Sequence, residues 1–108
     1  MPQSMRLVVP SALLILLSSD NAITQEIERG RALAERLCAR CHMNMGQGEK
    51  QGAMGVPGFS AVANRPNQSI DGIVAWLRSV PKMMPNHHLT QDEMFALANF
   101  IMSLKTAQ

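Results

Sequence analysis

At 108 residues the chain is long enough for one domain and no more. Ten Lys+Arg against eight Asp+Glu give a net charge of +2 without any basic run, which excludes a nucleic-acid-binding reading. Three Phe, one Trp and no Tyr are few large side chains for an interior, so a core built by the chain alone would be marginal.

Residues 1–22 read as a secretory signal peptide. Arg6 precedes the apolar run Leu7–Leu17, which turns polar at Ser18-Ser19-Asp20-Asn21. The run is too short to span a bilayer comfortably. Cleavage is expected after Ala22, although Asp20 is poorly suited to its place three residues before the cut. An uncleaved membrane anchor is the alternative, and either way the domain, residues 23–108, is exported. Losing residues 1–22 removes one arginine and one aspartate, so the net charge stays at +2.

The first element of that domain is predicted as a helix from about Thr24 to Cys38. Thr24 is its candidate N-cap, and Glu26 and Glu28 in the first turn suit the helix dipole. Ile27, Ala34, Leu37 and Cys41 recur at helical spacing and form its inward face. Gly30 costs such a helix about 1 kcal/mol relative to Ala. Either another helix approaches closely there, or the glycine is incidental.

Cys38-Ala39-Arg40-Cys41-His42 follows, and C-x-x-C-H reads as a site of covalent c-type haem attachment. Two thiols three positions apart lie on one face of a helical turn, within reach of the vinyl groups along one side of a porphyrin. His42 then offers an imidazole nitrogen to the iron. Two other chemistries use this pattern. A redox-active disulfide expects a βαβ setting, and no strand pattern is present. A structural zinc site wants four ligands, so Cys38 and Cys41 would need His42 with His87 or His88. A large apolar cofactor would also supply the interior that the composition lacks, as metals and disulfides do in other small domains.

Met43–Ser60 is a glycine-rich loop, and one this long in a small domain is expected to wrap something, here one edge of the haem. Within it the Pro57 carbonyl is a candidate acceptor for His42 Nδ1, a bond that orients the ring and tunes its basicity; the plainer role is a turn proline. A short helix is expected over 60–64, stopped before Pro66. The next begins at Ser69 as N-cap, with Asp71 in its first turn and Ile70, Ile73, Val74 and Leu77 on one face, and ends before Pro81. Trp76 on this helix and Arg65 before it are candidate partners for haem propionates, or simply structural residues. Lys82–Asn86 is an extended loop. The last helix opens with the capping box Thr90-Gln91-Asp92-Glu93 and carries Met94, Leu97, Ala98, Phe100 and Ile101 as an apolar face through to Leu104. The reading is all-α.

A haem held by His42 leaves a second axial position, which a thioether suits, and a Met/His pair raises the reduction potential. Nine methionines make any one of them weak evidence. Met84-Pro85 stands out because it lies in an extended segment between two helices, about forty residues beyond His42.

These features, in their order, resemble the class I cytochromes c, single-haem electron carriers of the bacterial periplasm and mitochondria. The resemblance covers 24–104 and runs through Gly30-Arg31-Ala32-Leu33, the C-x-x-C-H motif, Gly55-Val56-Pro57-Gly58-Phe59, Asn64-Arg65-Pro66, Ala75-Trp76-Leu77-Arg78, Met84-Pro85, Leu89-Thr90 and Leu97-Ala98-Asn99-Phe100-Ile101. It implies the small all-α cytochrome c fold with crossing N- and C-terminal helices, one covalent haem c, and Met84 as the distal ligand, with Met83 the alternative one residue away. It also pairs Gly30 with Phe100 at the helix crossing. Ala34 departs from the family, which often has an aromatic residue there, so a thinner crossing contact is expected. His87 and His88 would compete for the iron if they reached it, but they lie just beyond the Met loop and are expected on the surface.

The implied function is periplasmic electron transfer between Fe(II) and Fe(III), without catalysis. Redox protein partners would dock transiently, with Lys50 and Lys82 as candidate docking residues. No nucleic acid takes part, and no membrane once the signal is removed. The same site would serve a haem subunit of a larger periplasmic dehydrogenase or oxidase. A peroxidase would need a labile Met and a distal acid–base pair, for which only His87 and His88 are at hand.

Overall fold

The computed structural model describes residues 9–42 and 56–106, with backbone only over 9–20. Five helices make up the described fold: α1 (Val9–Leu37), α2 (Ala39–His42), α3 (Phe59–Ala63), α4 (Ile70–Arg78) and α5 (Gln91–Ser103). No strand forms among these residues, as the all-α reading requires. The proposed haem-wrapping loop falls largely outside them, as does Lys50.

The first helix differs from the sequence reading. It is already formed at Val9, so Thr24 lies inside it and does not cap it. Pro10 sits in its first turn, where a missing N–H is harmless. No Gly or Pro interrupts residues 11–29, so the helix runs on unbroken from the apolar N-terminal segment. Residues 21–25 are exposed, with Ile23 61 % accessible, and burial in the domain begins near Ile27. Among the described residues no helix is long and apolar enough to cross a membrane.

The core forms where α1 crosses α5, with α3 and α4 packed on the other sides of α5. Gly30 is buried at that crossing. A Cβ on Gly30 would overlap the Ala96 carbonyl oxygen, and would lie 2.6 Å from the Ala96 carbonyl carbon and 2.8 Å from Phe100 Cβ. The glycine is therefore there for close approach, and its nearest neighbour is the Ala96 backbone with Phe100 beside it. Ala34, Ala96 and Ala98 are fully buried, so small side chains hold the interior tight around the crossing. Phe100, also fully buried, supplies about 3 kcal/mol of apolar burial. The Arg31 guanidinium lies 5.3 Å from the Phe100 ring centroid and pairs with Glu28 at 3.2 Å.

The later helices begin as their sequences dictate. Ser69 Oγ accepts from Gly72 N–H at 2.9 Å to cap α4. At α5 both arms of the capping box close: Glu93 N–H donates to Thr90 Oγ1 at 3.1 Å, and Thr90 N–H donates to Glu93 Oε1 at 2.8 Å. Arg78 Nη2 donates to Gln91 Oε1 at 3.0 Å, tying the end of α4 to the start of α5. The tail closes on α3, where Asn64 Oδ1 accepts from Thr106 N–H at 3.1 Å and Thr106 Oγ1 at 3.0 Å.

Two predictions follow from these contacts. Gly30→Ala forces a methyl into backbone that has no rotamer to move, so it should destabilise by about 3 kcal/mol, seen as a lower urea midpoint. The Glu93 carboxyl is held below its ordinary value, first by the Thr90 backbone N–H it accepts. The stability this contributes is complete above the ordinary Glu range and is lost as pH falls through the lowered value. Glu93→Gln should therefore be less stable than the parent at neutral pH, with the gap closing on acidification in urea titrations run across pH.

Candidate functional site

The two cysteines and His42 come together because α1 ends just before a single further turn. Cys38 O accepts from Cys41 N–H at 3.1 Å and from His42 N–H at 2.9 Å, so the motif is wound as one helical turn. Cys38 is half-buried, Cys41 is exposed, and both are free thiols. Burial, with the Cys41 charge adding to it, pushes the Cys38 thiol up to about 11. Reactive C-x-x-C disulfide centres do the opposite and lower a thiol into the neutral range. Among the described residues no three His, Cys, Asp or Glu side chains cluster as a metal site, so the four-ligand zinc arrangement is not assembled there.

His42 is fixed from two sides. Its Nδ1 lies 2.8 Å from the Pro57 carbonyl oxygen, and its ring stacks on Phe59 with centroids 5.6 Å apart and planes 21° from parallel. A carbonyl can only accept, so Nδ1 carries the proton and Nε2 keeps the lone pair. Phe59 in turn meets Phe100 edge-on at 6.0 Å and 72°. Phe59 is a residue to which sequence reasoning gave no role. The available signal was its place two residues after Pro57, which carries it past the same ring.

A cleft of about 520 Å³ opens over this ring. Cys38, Cys41, His42, Pro57 and Met84 all border it. Its apolar wall comes from residues that the sequence placed in the core, among them Leu37, Ile73, Leu97 and Ile101. Arg65 and Trp76 border it as well, and both are exposed, with Trp76 57 % accessible. Lys82, also exposed, borders it too.

The Met loop differs in one respect from expectation. Met84 and Met83 both border the cleft, but Met84 is half-buried whereas Met83 is 90 % accessible and has a left-handed backbone, φ 74°. His88 is exposed and away from the cleft, but His87 is half-buried and borders it beside Met84. His87 is thus not the plain surface residue that its position beyond the loop suggested. Left-handed residues stand on both sides of this stretch, at Met83 and at His88, φ 54°.

The Phe59 contact has a measurable consequence. Phe59→Ala should cost about 3 kcal/mol through the cavity it leaves. It should also free the His42 ring, changing the spread of haem methyl shifts in the NMR spectrum of the ferric protein; Phe59→Leu should keep more of the stability.

The family model for cytochrome c matches residues 27–105. Cytochrome c-552 of Bradyrhizobium diazoefficiens is 33 % identical over 88 residues, covering 82 % of this chain and 84 % of that protein. No solved structure gives a significant match.

Proposed function

The chain belongs to the cytochrome c family as an electron-transfer haem protein with covalently attached haem c, and from that premise we propose a freely diffusing one-electron carrier of the periplasm. In this reading residues 1–22 direct export and are removed, Cys38 and Cys41 form the thioether bonds, and His42 and Met84 are the axial ligands.

The observation that carries the reading is the shared cleft, bordered at once by both thiols, the His42 imidazole and the Met84 thioether. The residues present fit the group: two sulfur nucleophiles on one turn, an apolar wall, and a soft and a nitrogen ligand on one cavity. When bound, the haem supplies one-electron chemistry at iron. The chain's part is to hold it still. His42, oriented by the Pro57 carbonyl and the Phe59 face, presents Nε2 in a fixed plane. His42 and Met84 would hold the iron in both oxidation states, which would keep reorganisation small, and a Met/His pair would raise the potential. The apolar wall excludes water, while Trp76 and Met83 leave exposed apolar surface at the cleft that Lys82 also borders. Such a surface suits brief docking of a redox partner, because contacts of this kind are small and reversible.

Optical spectra of the exported holoprotein test the ligation. A c-type reduced spectrum with a weak far-red sulfur-to-ferric band is expected. Met84→Ala should abolish that band and lower the reduction potential. Survival of the band in the variant would transfer the role to Met83, and its absence from the parent would remove Met ligation altogether.

A further inference from the structure

We propose that His87 is a reserve axial ligand, which takes the iron when Met84 is lost or displaced. The inference rests on the ligation reading above and adds a residue to it. His87 and Met84 border the same cleft, and both also border a second, smaller cavity of about 80 Å³ behind the loop. Pro85 lines both spaces as well, so the short segment carrying the two side chains has room on either side of it. Among the described residues His87 makes no hydrogen bond, ion pair or ring contact that would have to break before it moved.

The backbone favours such an exchange. Val80, Met83 and His88 all hold left-handed conformations, with φ 48°, 74° and 54°, and none of them is a glycine. Such conformations are unfavourable for non-glycine residues, so the loop as it stands carries backbone strain. Val80 is the most strained by type, because a β-branched side chain rarely adopts this region. The displacement required is local. Three residues separate the two ligands, and three residues of extended chain span at most about 10 Å. Neutral imidazole is the commonest metal ligand among side chains, so it replaces a thioether without any other partner. His42 is unsuited to the role, since its ring is fixed by Pro57 and Phe59. His88 is exposed and does not border the cleft.

The exchange would keep the iron six-coordinate at lower potential, and would deny peroxide an open position after loss of the thioether. The test uses ferric holoproteins of the parent, Met84→Ala, His87→Ala and the double variant, read by electron paramagnetic resonance and by titration with imidazole. The parent and His87→Ala should share the sulfur-to-ferric band. Met84→Ala should be low-spin with two nitrogen ligands, and the double variant high-spin. Imidazole should bind the double variant at least about tenfold more tightly than Met84→Ala, because in the single variant it must displace His87. A high-spin Met84→Ala protein, or equal imidazole affinity in the two variants, overturns the proposal while leaving Met84 ligation intact. A sulfur band retained in Met84→Ala also overturns it, in favour of Met83. A parent without the band overturns the ligation reading and this proposal together.

Discussion

The close crossing of α1 over α5 at Gly30 sets the geometry from which the site is built. With no Cβ on Gly30, the Ala96 carbonyl can lie directly against α1, and Phe100 is seated one turn further along α5. From there three rings pass inward, Phe100 to Phe59 to His42, at 6.0 and 5.6 Å. The crossing is therefore linked to the His42 ring through packed aromatic side chains. Interiors at this density do not absorb displacement softly, so a shift at the crossing reaches the His42 ring. The Arg31 guanidinium over the outer face of Phe100 closes the stack at its other end. The glycine costs helix propensity and is offset by the position it gives to everything beneath it.

What the sequence made legible was what is local in it. The thiol pair and His42 are adjacent, so one helical turn suffices to bring them together, and the Ser69 and Thr90 caps each need only three residues. The Pro57 bond to His42 was readable as well, because only one proline closely follows the motif. The misreadings have a common origin in context beyond the local window. Thr24 looks like a cap when the domain is considered without its leader, but a continuous helix needs no cap there. His87 looked peripheral because distance along the chain was taken as distance from the cleft. Left-handed Met83 and His88 flank it, and neither residue type announces such a conformation. Phe59 carried no signal of its own, since a stacking partner is defined by what stands opposite.

The shortage of large side chains is answered by a wall that serves twice. Ile73, Leu97 and Ile101 belong to the core, being 4 %, 2 % and 6 % accessible, and they also border the cleft. One face of the interior is thus completed by the protein's own helices and the other by its cofactor. A group bound in the cleft would cover apolar surface and so add to the stability of the fold, as metals do in small metal-bound domains. A ligand that dissociates stabilises only in proportion to its free concentration.

Covalent attachment removes that dependence, and it changes what the distal loop has to do. With Cys38 and Cys41 as the proposed anchors, neither retention of the ring nor cover of the apolar wall relies on Met84. The segment from Val80 to His88 is then free to carry three left-handed non-glycine residues, a cost that a loop solely responsible for holding its cofactor would be poorly placed to bear. The proximal side shows the contrast. His42 is held by a hydrogen bond, a ring stack and a helical turn, whereas Met84 enters on a strained segment with space behind it. Under the proposed ligation, rigidity is concentrated on the His42 side and adaptability on the Met84 side. The two thioether anchors are what allow a domain this small to separate those requirements.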